Sequence, residues 1–270
     1  MRLDLYAGAG NRFALAEASG GEPTWAELAR EVCARELFGG ARPDGLLVVR
    51  EAAGTDTRME IYNADGSRPE ACGNGLRCVA WHLLRTGREG VAQVDTDAGV
   101  RRFELLEARG EAAEIYVEMG AARVQGISAP LPVVPGLVAA HRVNVGNPHC
   151  VLRVEDERLE GLAEIGRRMQ SHPDFPEGVN VGLLACRDGG WRLRVFERGV
   201  GETEACGTGA CAAVASLALP AGTTEVAMRG GVLRVRKEEC GPLHLSGEAR
   251  HHGRVEIGLD TPVGSGTRDS

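Results

Sequence analysis

Two short stretches, MEIYN at 59–63 and LRVFE at 193–197, alternate apolar with polar residues, a period of two that predicts strands. Beyond each, the period changes. After Cys72 the apolar positions Leu76, Val79, Ala80, Leu83 and Leu84 recur at helical spacing up to Gly87. After Cys206 a helix is predicted through ACAAVASLAL, stopped by Pro220, whose missing N–H and ring cannot continue it. Short alternating strands then follow both helices, in VRRFELLEA, AEIYVEM, GGVLRVR and LHLSG, with glycine turns between them. The prediction is an α/β (α+β) protein in which each of two units wraps a mixed, mostly antiparallel sheet around one helix.

The two units are related. Residues 58–78, RMEIYNADGSRPEACGNGLRC, align without gaps on 192–212, RLRVFERGVGETEACGTGACA, at an offset of 134, with six of 21 positions identical: Arg58/Arg192, Glu70/Glu204, Ala71/Ala205, Cys72/Cys206, Gly73/Gly207 and Gly75/Gly209. Other pairs keep nearly this spacing in the same order: Gly10-Asn11 with Gly146-Asn147, AGVR at 98–101 with GGVLR at 230–234, and GAAR at 120–123 with GEAR at 247–250. Four ordered pairs point to an internal duplication. The expected halves are residues 1–114 with 254–270, carrying Cys72, and 115–253, carrying Cys206. VEIGLD near the end is expected to rejoin the first half, and the tail GSGTRDS to be disordered.

Composition excludes several function classes. At 270 residues the chain can bury real cores without staples, and a balance of 31 basic against 38 acidic residues, net −7, argues against nucleic acid as the main partner. With no signal-like apolar run at the start and no membrane-length segment later, the expected location is the cytoplasm, where eight cysteines read as thiols. Lys237 is the only lysine, so a pyridoxal phosphate enzyme and a P-loop are both disfavoured. It is read as a solvated side chain.

The repeated ACGxG turns carry the candidate chemistry. Glycines at a strand-to-helix turn admit a substrate close to the backbone, and the unpaired first-turn N–H groups suit an anion such as a carboxylate. A thiol at such a terminus is expected to ionise nearer neutrality than the usual ~8.5. Two such turns facing across a cleft would put one thiol on each side of a bound molecule. Inversion at an α-carbon needs a base on one face and an acid on the other, which a thiolate and a thiol supply without a cofactor. Cys33, Cys78, Cys150, Cys186, Cys211 and Cys240 are read as small buried hydrophobes. The Cys-x5-Cys and Cys-x4-Cys spacings are not those of short zinc knuckles, and no metal is expected. GTGACA can be forced into a dinucleotide fingerprint, but the antiparallel surroundings argue against one. Asn11, Asn63, Asn147, His149, Asn180, Glu197 and Arg198 cluster near the same turns, and Arg198 could bind a second carboxylate with its fork.

At these residues the chain resembles the diaminopimelate epimerase family, cofactor-independent enzymes that interconvert LL- and meso-diaminopimelate. The matching segments are NADGSRPEACGNGLRC, VGNPHCV, FPEGVNVG and ERGVGETEACGTGACAA, in the family's order over most of the chain. The resemblance implies that Cys72 and Cys206 are the acid/base thiols, assisted by His149 and Glu197. It implies that Gly73, Asn74, Gly207 and Thr208 hold the reacting carboxylate, and that Asn11, Asn63, Asn147, Asn180, Glu197 and Arg198 hold the rest of the substrate. Family members are often dimers, so a homodimer is expected. Departures fall mostly in the N-terminal segment: Leu5 stands where Lys is typical, Arg12 where an acidic residue is typical, and Ala71 where Met is usual. Alternatives are a related racemase acting on proline, hydroxyproline or histidine, although proline-type enzymes usually carry His where Asn74 stands, or a binding protein that has lost turnover.

Overall fold

The computed structural model describes residues 1–18, 24–52, 55–69, 72–88, 93–158 and 160–258, so Glu70, Ala71 and the C-terminal tail lie outside the described residues. In chain order the elements are β1 (Arg2–Gly8), β2 (Asn11–Glu17), α1 (Trp25–Cys33), β3 (Gly45–Ala52), β4 (Thr55–Asn63), α2 (Gly73–Arg85), β5 (Gln93–Val94), β6 (Arg101–Arg109) and β7 (Ala112–Gly120). They continue with β8 (Arg123–Gly126), β9 (Leu137–Asn144), β10 (Pro148–Val154), α3 (Leu162–Met169), β11 (Asn180–Arg187), β12 (Gly190–Glu197), β13 (Gly201–Thr203), α4 (Gly207–Ser216), β14 (Gly222–Met228), β15 (Gly231–Lys237) and β16 (Leu243–Glu256).

The duplication is visible in the pairing. In the first half β1–β2 and β3–β4 are antiparallel around a parallel β2–β3 pair; in the second β9–β10 and β11–β12 are antiparallel around a parallel β10–β11 pair. The register repeats too, with Phe13 opposite Gly45 and His149 opposite Asn180. β16 joins the halves: its start pairs with β15, its first part with β7, and Arg250 to Glu256 with β1. Val255 and Glu256 thus lie opposite Leu3 and Arg2, while Leu259 and Asp260 lie outside the described residues.

The structure corrects the expectation of one helix per half. α1 buries Trp25, Leu28, Ala29 and Val32, and α3 buries Leu162, Ile165, Gly166 and Met169, the same i, i+3, i+4, i+7 spacing in each. These helices cover the outer faces of β1–β3 and of β10–β11, while α2 and α4 fill the inner faces. Strands covered on both sides can be apolar throughout, which is why FALA, LLVV and GLLA are continuous runs. Each fully buried Leu28 or Val32 contributes about 1.5–3 kcal/mol to this packing. α4 ends at Ser216, short of Pro220, and Lys237 is half-buried rather than solvated, its Nζ donating to the Leu219 carbonyl at 3.2 Å. Cys186 and Cys240, expected to be buried, are exposed. Cys186 ends a strand's buried run and Cys240 sits in a turn, where no layer covers either.

Burial raises the Cys33, Cys78, Cys150 and Cys211 thiols to about 12. Unfolded, the same thiols ionise near ~8.5. Their stability contribution is therefore complete below that value and is lost as pH climbs toward the folded values. In reducing buffer, Tm is expected to fall steadily above about pH 9; a Tm flat to pH 11 would show that these thiols ionise as freely folded as unfolded.

Candidate active site

Cys72 and Cys206 are the N-cap residues of α2 and α4, both in extended backbone, with φ −144° and −133°. Each sulfur accepts the N–H of the third helical residue, from Gly75 at 3.4 Å and Gly209 at 3.3 Å. This is the capping geometry of a serine or aspartate, with sulfur as acceptor. The two helix starts abut. A Cβ on Gly207 would lie 3.6 Å from the Gly73 Cα, an ordinary contact distance that marks the two helix starts as neighbours, and 2.7 Å from Leu245 Cδ2, which would have to shift. First-turn N–H groups of both helices thus converge on one place, as an anion requires.

Both thiols open onto one cavity of about 210 Å³. Its walls carry Gly73 and Asn74 from the start of α2, and Gly207 and Thr208 from the start of α4. Asn11 and Asn63 come from the first half, and Asn147, Asn180, Glu197 and Arg198 from the second. Strand ends supply most of them, since side chains at the last paired residue reach past the sheet. His149 is the one expected site residue that does not line this cavity. It is buried on β10, and its Nε2 lies 3.0 Å from Asn147 Oδ1. Burial, with repulsion from Arg198, lowers its pKa to about 3, so the imidazole is neutral and supports Asn147 from behind.

The cavity's amides are held in place. Asn74 Nδ2 donates to Asn11 Oδ1 at 2.6 Å, and Asn147 Nδ2 to Thr208 Oγ1 at 3.4 Å. Asn180 donates to the Pro148 carbonyl and accepts the Arg198 N–H at 2.9 Å; Asn63 Nδ2 donates to Ser67 Oγ. Arg198 donates Nη1 to the Glu177 carbonyl at 2.9 Å and has no carboxylate at ion-pair distance among the described residues. The sequence reading missed Asp44 as a wall residue. Its Oδ2 accepts the Arg12 N–H at 2.7 Å and faces Asn11 Nδ2 at 3.5 Å, whereas the Arg12 side chain does not line the cavity. The signal available was the Asp44-Gly45 pair just before β3. Phe13, Ile61 and Val200 add apolar wall.

The expectation of thiols near neutrality is not met. Burial raises Cys72 to about 11, the Gly75 N–H opposing it, with Glu197 raising it further and Arg77 lowering it. Cys206 is pushed well above its ordinary value by burial and by Glu197, and also by the charge of Cys72 across the cleft. Removing water from a thiolate costs more than one or two N–H donors return. Glu197, itself raised by burial, accepts a hydrogen bond from Thr203 Oγ1 at 2.6 Å. Among the described residues no three His, Cys, Asp or Glu side chains converge as a metal-holding group, and no helix is long and apolar enough to cross a membrane.

Comparison with known proteins agrees with this geometry. Residues 5–125 and 141–251 match the family model for diaminopimelate epimerase. A protein of that name from Desulforudis audaxviator is 39% identical over 241 residues, covering 82% of this chain and 86% of its own. One from Rhizorhabdus wittichii is 37% identical over 274 residues, covering 96% of each. Among solved structures, a phenazine biosynthesis protein of the PhzF family from Bacillus anthracis superposes with a TM-score of 0.72 at 15% identity, over 96% of this chain and 99% of that one. A hydroxyproline epimerase from Agrobacterium vitis superposes with a TM-score of 0.69 at 17% identity, over 98% and 94%. These structures share the fold. The matched sequence runs through both halves and both thiol turns, and on that ground the chain belongs to the diaminopimelate epimerase family.

Proposed function

We propose that this protein interconverts LL- and meso-diaminopimelate by a two-thiol mechanism without a cofactor. One observation carries the reading: two cysteines cap two abutting helices on the wall of a single cavity. The α-carboxylate sits on the joined helix starts, with the α-carbon between the two sulfurs. One sulfur, as thiolate, takes the α-proton. The electron pair left on carbon spreads into the carboxylate, where the N–H groups of both helices receive it. The opposite thiol delivers its proton to the other face and becomes the thiolate, so each turnover exchanges the roles. Glu197 orients Cys206, and His149 acts through Asn147. Arg198, Asn63 and Asn180 hold the distal amino-acid group, the second carboxylate lying on the guanidinium. We place this activity in the cytoplasm, in the formation of lysine and peptidoglycan precursors, with the enzyme acting as a homodimer and its two halves divided at 114/115 and 253/254.

Incubation of reduced protein with LL-diaminopimelate in D2O tests the reading. Formation of the meso isomer with one α-deuterium is expected; silence there, with exchange on another amino acid, would move the substrate, and silence on every amino acid would reject catalysis. A second test concerns the spacing of the thiols. Diamide is expected to take two electrons and two protons from Cys72 and Cys206, joining them and stopping turnover until dithiothreitol is added. Loss of activity without a Cys72–Cys206 crosslink in the mass spectrum would count against sulfurs that face each other.

A further inference from the structure

Arg77 is fully buried, one of the largest side chains so placed among the described residues. It lies in α2, one turn behind the joined helix starts, and its Nη2 donates to Asn74 Oδ1 at 2.8 Å. Its Nε and Nη1 are buried without a hydrogen-bond partner among the described residues, and no carboxylate there lies within 4.0 Å of the guanidinium. A charge held dry at such cost is expected to serve the site rather than the fold. Gly247 makes room for it, since a Cβ there would come 3.3 Å from the Arg77 Nε and Cζ.

The duplication shows what Arg77 adds. Asn11 and Asn147 occupy equivalent places, and each bonds the second residue of a central helix, Asn74 in one half and Thr208 in the other. On the Cys206 side the arrangement is buttressed by the neutral His149 behind Asn147. On the Cys72 side it is buttressed by the cation Arg77 behind Asn74. The offset of 134 places Cys211, not an arginine, at the position equivalent to Arg77. The two thiols therefore share a capping geometry and differ in the charge behind it.

We propose that Arg77 is a positioning residue of the reaction, which locks the Asn74 amide toward Asn11 and places a fixed positive charge on the Cys72 side alone, making Cys72 the more reactive thiol of the resting enzyme. The amide has one orientation available: with Oδ1 held by the guanidinium, Nδ2 must face Asn11. The charged and titratable groups around Arg77 are Cys72 and Cys78 on its own helix, Cys211 on α4, and Glu114 on β7, which Arg234 pairs at 3.2 Å. Around Cys72 they are Arg77, with Glu197 from β12 and Cys206 from α4 across the cleft, and Asp97 and Arg101 beside a small cavity that Cys72 also lines. The cluster of Tyr6, Glu17 and His82 lies at the far end of α2. Fixed positive charge near the carboxylate also favours the electron-rich state formed when the α-proton leaves.

The inference rests on the two-thiol reading, and its test separates the two. Limited alkylation with iodoacetamide, read peptide by peptide, gives the Cys72:Cys206 labelling ratio without any turnover. Cys72 is expected to label first in the wild type, and Arg77→Met to lower the ratio about fivefold or more. In the same variant kcat on LL-diaminopimelate is expected to fall about tenfold or more, with the alkaline rise of the pH profile displaced upward. Arg77→Lys is expected to restore the labelling ratio, which follows charge, but not kcat, which also needs the fork on Asn74. Should Arg77→Met not fold, Arg77→Gln removes the charge while keeping an N–H donor near Asn74 and is expected to lower the ratio in the same sense. A folded Arg77→Met, or failing that Arg77→Gln, with the wild-type ratio overturns the proposal. A wild-type enzyme silent on diaminopimelate overturns the functional reading and leaves the labelling ratio to judge Arg77.

Discussion

Alanine at Cys72 or at Cys206 is expected to lower kcat for epimerisation of LL-diaminopimelate by at least about 10³-fold, because each variant lacks the acid or the base for one face of the α-carbon. The loss is chemical rather than structural. A cap sulfur replaced by alanine costs helix stability of about 1 kcal/mol, so both variants should fold, with a small drop in Tm. The remaining thiol still faces one side of the substrate. Each variant is therefore expected to retain slow α-deuterium exchange on one epimer without inverting it, Cys72→Ala on one isomer and Cys206→Ala on the other. Chiral chromatography with mass spectrometry reads both outcomes. Inversion at the wild-type rate in either variant would end the two-thiol mechanism, and exchange on the same isomer in both would mean that the sulfurs do not take opposite faces.

The second large effect is expected at Arg198. Its main-chain N–H is held by Asn180 and one guanidinium nitrogen by the Glu177 carbonyl, which leaves the rest of the fork for the cavity. With no carboxylate pairing it among the described residues, the charge is available for a second carboxylate, and a bidentate pair there would be strong. Arg198→Met is expected to reduce kcat/KM for diaminopimelate about 10²-fold or more, most of it in KM, because the ligand's far carboxylate would lose its charged partner. The side chain is exposed, so Tm should hardly move. Relief of its repulsion should also raise the His149 pKa from about 3, which NMR titration of the imidazole would detect. An unchanged KM would place the distal carboxylate elsewhere.

How much of this was legible before the fold is clearest at particular residues. The two thiol turns were legible because ACGxG is local: a strand, a tight glycine turn and a helix start are encoded within a few residues, and the repeat at 134 marked both as one design. The outer helices were not read, although Trp25, Leu28, Ala29 and Val32 carry the spacing openly, because continuous apolar strands such as LLVV were not taken as evidence of a second covering layer. Asp44 was not legible as a wall residue, since only pairing of β2 with β3 brings it beside Asn11. Cys186 and Cys240 were misjudged because exposure is not a property of residue type.

The thiol pKa values mark the limit most sharply. A helix N-terminus is a local feature and favours thiolate, and from sequence that was the only effect in view. Burial, and the approach of Glu197 to Cys72 from the other half, arise from distant segments, and they prevail. By itself the sequence determined the duplicated plan, the two capping cysteines, the glycines between them and the family to which the chain belongs, since all of these are written in short contiguous motifs. Only the tertiary structure decided that the two helix starts touch and that His149 and Arg77, whose hydrogen bonds to Asn147 and Asn74 are local, are buried behind the cleft, because burial and the dielectric it sets depend on segments far apart in the chain.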